Sequence, residues 1–392
     1  MAERSSLAVV AGLDLNGLGV VRALGRAGIP VLALDTEFDK PTAATRFGNK
    51  VLVSTLSGPG FIDALLSLRQ RFDRSPVLIL TQEASVLTVS LERERLAGAY
   101  LFTMPPHALM ADLLDKLRFQ ALAEGHGFPI PRAVRITRAQ GPEVTRGLRF
   151  PCVLKPTHKH AGYAKRFVKA YKVVSEEEVA GLWSQMQDVV DELIVQEWIE
   201  GNDSDVFFCL QYRPRSGAAT SFVGRKTCQW PPLIGGTATC MPAPEAAEEL
   251  TALTDGFFDA VGFTGIGSME YKRDPRDGRF YMVEPTVGRT DYQEEIAVLN
   301  GVNIPLAVYC GELGLEPPAV RKAHWPHAWR DPMGHGNALK AGANDPIATI
   351  APGIKISDAY FRTYDPMPYI ALKLEALRRR FALSGRNAPR NT

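Results

Sequence analysis

Glu270 and Glu284 are the residues of this chain whose type and spacing best suit joint chemistry. Residues 269–272 and 279–284 read as two arms of a hairpin, with Asp274-Pro275-Arg276-Asp277-Gly278 between them. A loop of three or five residues would put both carboxylates on one face of the sheet. A two-residue Asp-Gly turn would put them on opposite faces. Like charges facing across paired strands are destabilising unless something neutralises them. Mg2+ is the natural neutraliser, because it takes one or two carboxylates and completes its shell with phosphate and water. The plainer alternative is two separate surface glutamates near Lys272 and Arg289.

Other residues suit a phosphate-rich ligand. Lys116 opens a helix behind Asp115, and Lys155 closes a short strand over 151–156. Each is a compact point charge that fits phosphate oxygens, and each also fits a solvated surface position. The loop 157–166, with His158, Lys159, His160, Lys165 and Arg166, is strongly basic. It reads as an exposed charged loop or as a flap over a polyphosphate. The linker Gln196-Glu197-Trp198-Ile199-Glu200-Gly201-Asn202-Asp203-Ser204-Asp205 would leave backbone groups for an adenine edge and a carboxylate for ribose, or is an ordinary acidic loop. Glycines at 12, 17 and 19, with Asp35 further on, suggest a dinucleotide turn, but the spacing is not G-x-G-x-x-G and Asp14 would repel a diphosphate. Cys228 and Cys240, and His324 and His327, lack metal-ligand spacing.

These groups need elements to hold them. An apolar run at 7–11, the Gly-rich turn, a helix and a second strand at 31–34 ending in Asp35 start an α/β unit. Further strands at 51–53 and 77–80 and a helix near 60–71 extend it, so a parallel sheet with helices on both faces is expected to about residue 110. A helix starts near Ala111 and ends at Gly125 to Gly127. Beyond 150 the texture becomes α+β, with strands at 153–154, 173–174, 193–196 and 206–210 and helices at 176–189 and 245–261. The organisation expected is 1–110, then 111–312 in two parts (111–195 and 196–312), then an extension over 313–392. That extension ends in an amphipathic segment, 369–383, which reads as a helix packed on the body or as a basic membrane-surface helix. Its apolar residues are Tyr369, Ile370, Leu372, Leu374, Leu377, Phe381 and Leu383, and its cations are Lys373 and Arg378 to Arg380.

The 392 residues suggest two to three domains, and a net charge of +2 gives no field to hold nucleic acid. No apolar run reaches the ~20 residues of a membrane span. Five dispersed cysteines without a C-x-x-C read as reduced thiols of a cytoplasmic protein. The stretch 7–13 is too short and too acidic in its flanks for a signal peptide.

Taken in order, Asp115-Lys116, Val153-Leu154-Lys155-Pro156, Gln196 to Gly201 and Glu270…Glu284-Pro285-Thr286-Val287-Gly288-Arg289 resemble the motifs of the ATP-grasp superfamily over about residues 5–312. Arg225 to Pro232 and Thr290 to Glu295 are similar to its carboxylate–amine ligases, including those resembling D-aspartate ligase and those found with cell-surface polysaccharide genes. The resemblance implies an α/β N-terminal domain before α+β nucleotide-binding domains, with ATP and Mg2+ as cofactors and small-molecule carboxylate and amine substrates. It implies that Lys116, Lys155 and Lys226 contact phosphates and that Glu197, Trp198 and Ile199 line the adenine. Asp203 or Asp205 would bind ribose, Glu270 and Glu284 would hold Mg2+, and Arg289 would stabilise the reacting groups. Thr286 stands where the family usually has Asn, offering a weaker ligand oxygen. With only Gly162 in a loop that is often glycine-rich, His158, Lys159 or His160 would take over phosphate contacts.

The reaction so implied joins a carboxylate to an amine through an acyl phosphate. Its demands are positioning and charge neutralisation. No residue stands out as the base for the amine. The rival readings are an ATP-grasp-like protein that binds nucleotide without turnover and a dinucleotide-dependent enzyme.

Overall fold

The structure is a computed structural model and describes residues 6–157, 161–168, 170–321 and 323–386. Its first sheet is built from β1 (Ala8–Ala11), β2 (Val31–Asp35), β3 (Asn49–Leu52) and β4 (Val77–Leu80), all parallel in the order β3-β2-β1-β4. β1 and β4 are apolar throughout and fully buried, as strands covered on both faces must be.

The Gly-rich turn after β1 is a packing device. Gly12 has φ +97°, and a Cβ there would collide with Thr81 Oγ1; a Cβ on Gly17 would meet the Gly12 carbonyl. Gly19 lets the helix Leu15–Arg26 press against the Glu295 side chain. Asp35 is not available to a ribose, because its carboxylate accepts from Leu13 N–H at 2.6 Å and pairs with Lys40 at 2.7 Å.

A second sheet contains β5 (Ala133–Thr137), β6 (Cys152–Pro156), β7 (Tyr171–Val173) and β8 (Glu192–Glu197) in the antiparallel order β5-β8-β6-β7. With the helix Glu176–Met186, capped by Ser175, it closes around its own core of Ile136, Leu154, Trp183 and Val195. The largest sheet has seven strands: β9 (Val206–Arg213), β10 (Thr220–Trp230), β11 (Gly236–Pro242), β12 (Gly265–Arg273), β13 (Phe280–Val287), β14 (His327–Arg330) and β15 (Lys355–Asp358). Their order is β13-β12-β9-β10-β11-β14-β15. It shares two cores with the first sheet, one through Val9, Phe61, Phe207 and Met269, the other through Val10, Leu18, Phe208 and Trp329.

One expectation needs correction. The helix expected from 111 to 125 is two helices, His107–Leu114 and Lys116–Gly125, broken at Asp115, whose carboxylate accepts from Leu117 and Arg118 N–H and caps the second. The extension beyond 313 supplies β14 and β15. Arg22, in the first helix, donates to Asp365 at 2.8 Å and to the Ala359 and Tyr360 carbonyls, while Arg362 pairs with Glu295 at 2.6 Å. All five cysteines are free thiols, four of them buried.

Candidate functional site

The β12–β13 hairpin makes the floor of a cleft of about 390 Å3, and the second sheet makes one of its walls. Six residues, 274–279, connect the two strands. The far part of the hairpin pairs regularly, with Tyr271 opposite Met282, but the register then shifts so that Glu270 stands opposite Glu284. Val283 is the extra residue. Without it Glu284 would take the face of Met282, which is in the core; the bulge turns it onto the face of Glu270. The loop is therefore longer than the three or five residues considered, and the bulge restores the shared face. Thr286, two residues further along β13, also lines the cleft.

The like charges are relieved from β10. Buried Lys226 reaches across β9 and places Nζ 2.5 Å from a Glu270 oxygen. Burial works against the Lys226 ammonium, but Glu270 outweighs it and holds the lysine above its ordinary range. The Glu270 carboxyl is pushed up by burial, drawn down by Lys226 and pushed up again by Glu284. Asp291, which no sequence argument assigned, adds a further carboxylate to the cleft lining; it accepts from Ser268 Oγ at 2.8 Å and from its neighbour Tyr292 N–H. Its sequence signal was its place in the segment Thr290 to Glu295, two residues after Arg289. Among the described residues no three His, Cys, Asp or Glu side chains form a metal cluster by themselves. Glu270 and Glu284 still suit Mg2+, a hard cation that needs only one or two carboxylates when phosphates supply the rest.

The walls are basic. Lys116, Lys155 and Arg289 line the cleft with Lys226 and Lys272, so five cations face the four carboxylates of Glu197, Glu270, Glu284 and Asp291. Lys155 Nζ lies 3.4 Å from Gln196 Oε1, and Lys272 donates to the Asn202 carbonyl at 2.7 Å. Arg289 donates to the Thr290 carbonyl; burial pushes the Glu294 carboxyl up to about 8, against the lowering pull of the Asp291 N–H that donates to it and of Arg289. Five cations around a floor that carries paired glutamates suit a polyanion carrying a divalent cation.

At the end of β8, Glu197, Trp198 and Ile199 line the cleft. The Trp198 N–H is already committed to the Pro151 carbonyl at 2.9 Å, and the Glu197 carboxylate accepts from Arg149 N–H at 2.9 Å. The Glu197 N–H is likewise committed, to the Arg132 carbonyl at 2.8 Å, so neither of these two N–H groups is free for the backbone role expected of the linker.

Asp203 and Asp205 are not brought to the cleft lining. Asp203 accepts from Gln229 N–H and Leu233 N–H, both at 2.8 Å, and so ties down the β10–β11 loop. Asp205 accepts from Asn202 N–H in a capping box. Their spacing after the linker fitted ribose equally well; only the fold shows that both carboxylates are spent on backbone. His158, Lys159 and His160 lie outside the described residues. Burial pushes the Cys228 thiol up to about 12 and Cys240 well above its usual value, and His327 bonds Ser357 Oγ at 2.8 Å. A larger cavity of about 1020 Å3 lies by the first helix, where Arg22 and Arg362 both pair with Glu295.

No family model matches the chain. It is 24% identical over 323 residues to the D-aspartate ligase of Enterococcus faecium (strain Aus0004), covering 76% of this chain and 74% of the relative. The fold is similar to that of N5-carboxyaminoimidazole synthetase from Staphylococcus aureus complexed with ADP, with a TM-score of 0.63, 13% identity and coverage of 82% and 80%. It is also similar to the biotin carboxylase domain of the Hydrogenobacter thermophilus 2-oxoglutarate carboxylase in complex with MgADP, ADP and bicarbonate. That match has a TM-score of 0.62 and 15% identity, and covers 81% of this chain and 72% of the other.

Proposed function

We infer that this chain, which belongs to the ATP-grasp superfamily, is an ATP-dependent ligase joining a small-molecule carboxylate to an amine. The observation that carries this reading is the Glu270–Glu284 pair, opposed on the floor of a cleft whose walls bring cations from two sheets. The substrate carboxylate would attack the terminal phosphorus of ATP, forming an acyl phosphate and releasing ADP; an amine would then attack the acyl carbon, forming the amide and releasing phosphate.

Lys116 and Lys155 would hold the phosphates from the wall. Ile199 N–H would donate to the adenine, with Glu197 and Trp198 beside it. Glu270 and Glu284 would hold Mg2+, with Thr286 as a weaker neighbour. Bound there, the ion would neutralise charge on the transferring phosphoryl group. Lys226 would keep Glu270 ionised and add its charge next to the phosphates. Arg289 would steady the substrate carboxylate as charge develops on the phosphoryl oxygens. Asp203 and Asp205 are given no ribose role.

No described helix is long and apolar enough to cross a membrane. Thermal unfolding tests the reading. Saturation with MgATP at ~100 times Kd should add about 2.7 kcal/mol, a shift of a few degrees that Glu284→Ala removes and NADH does not reproduce. Release of ADP on adding a matched carboxylate and amine would then establish ligation. A MgATP shift without ADP release from any pair would leave nucleotide binding without turnover, and a shift with NADH alone would refute the site.

A further inference from the structure

Over residues 367–378, the C-terminal helix, Met367–Arg386, packs on the body along one side. Tyr369 and Leu372 join the core shared with the first sheet, and Pro368 is buried. At 3.6 residues per turn the opposite side carries Met367, Ile370, Leu374 and Leu377. Those four side chains are 48%, 43%, 50% and 48% exposed. Their mean direction lies roughly 170° from that of the packed residues. The apolar face seen in the sequence is thus two faces, one used and one open.

Lys373 and Arg378, both exposed, fall roughly 80° and 60° to either side of the open stripe. Glu375 falls toward the packed side. The stripe itself has the 3-4-3 spacing of a coiled-coil seam, so a second copy is the first occupant to consider. In a parallel pair, Lys373 of one helix would face Arg378 of the other, five residues on; in an antiparallel pair, like would face like. Both arrangements put cation against cation, so self-pairing is disfavoured in either direction. The occupant that complements this surface is apolar in the middle and anionic at both borders. The stripe is a ridge rather than a groove, so it needs a deformable partner rather than a shaped pocket.

We propose that the helix Met367–Arg386 docks the protein on an anionic lipid surface, lying in the plane of the interface with Met367, Ile370, Leu374 and Leu377 among the acyl chains. Lys373 and Arg378 extend their stems along the border and keep their charges at the headgroups. The helix is not apolar enough to span the bilayer, so the attachment is peripheral and reversible. This inference is independent of the ligase reading, since none of these residues lines the nucleotide cleft.

Co-sedimentation of the full chain with vesicles tests it. The protein should pellet with mixed phosphatidylcholine–phosphatidylglycerol vesicles, and little with phosphatidylcholine alone. Lys373→Glu with Arg378→Glu should weaken binding by about fivefold or more for each cation replaced, and the loss should resemble that caused by raising salt. Leu374→Glu with Leu377→Glu should abolish it. All four positions are exposed, so the melting temperature and the MgATP shift should stay at wild-type values, which separates this test from the fate of the ligase reading. Light scattering gives the competing outcome. A dimer that Leu374→Glu dissociates, with no vesicle binding, would overturn the proposal, as would a monomer that ignores anionic vesicles and binds only an acidic protein.

Discussion

Replacing Lys226 by Met removes the buried cation that pairs with Glu270 on the cleft floor. Lys226 is 3% exposed, and its Nζ lies 2.5 Å from Glu270, whose side chain is 21% exposed. Breaking a buried ion pair by deleting one partner costs about 3–5 kcal/mol, because the survivor is left charged and uncompensated. The partial exposure of Glu270 sets the expectation at the lower end, about 3 kcal/mol at pH 8.

The loss has a pH signature. Burial already raises the Glu270 carboxyl, Lys226 lowers it and Glu284 raises it again, so deleting Lys226 removes the main opposing influence. A carboxyl whose folded pKa lies above its unfolded value takes up a proton in the folded state first. Stability therefore falls as pH rises between the two values and is recovered as pH falls. The cost of Lys226→Met should be full at pH 8 and shrink toward pH 5, as Glu270 protonates and the repulsion from Glu284 is relieved. Urea unfolding at both pH values measures it. Adding Glu270→Gln should return most of the loss at pH 8, since no charge is then stranded. Equal losses at the two pH values, or a double variant as unstable as Lys226→Met, would mean that Lys226 acts through packing and that the electrostatic account of the floor is wrong.

Three further outcomes follow from the same structure. Asp203→Asn should cost about 2 kcal/mol by weakening its hold on Gln229 and Leu233 N–H, while leaving nucleotide affinity unchanged; lost affinity with unchanged stability would restore the ribose role. Glu294, buried with its carboxyl at about 8, should make the wild-type protein lose stability between pH 5 and 8 by up to about 1.4 kcal/mol per pH unit. Glu294→Gln should flatten that slope, and coincident slopes would show that the carboxyl is ionised throughout. Asp365→Asn weakens the anion that binds Arg22 Nε, Thr45 Oγ1 and Arg46 N–H, and should lower stability by about 3 kcal/mol and open the C-terminal segment to limited proteolysis. A fully stable, protease-resistant variant would show that the segment is held by other contacts.

The parallel first sheet was readable because β1 and β4 are unbroken apolar runs, and the helices because their apolar spacing and caps are local. Glu270 and Glu284 were readable as a pair because a turn sequence lies midway between them. What decided that they face each other was the bulge at Val283, which depends on how β12 is held between β9 and β13 and leaves no mark in the residues themselves. Asp203 shows the same limit in reverse. Its position after the linker suited a ribose, but its carboxylate had closer backbone donors in a loop that folding brings to it.

The sequence alone determined which residues could bear charge, cap a helix or line a strand, since these follow from side-chain chemistry and periods of two and 3.6 residues. Tertiary structure decided which of them meet. Arg22 and Asp365 are separated by 343 residues, and the apolar face of the last helix divides into a packed side and an open one only when the body is present. Such partnerships depend on chain closure over long distances, where local periodicity carries no information about the partner.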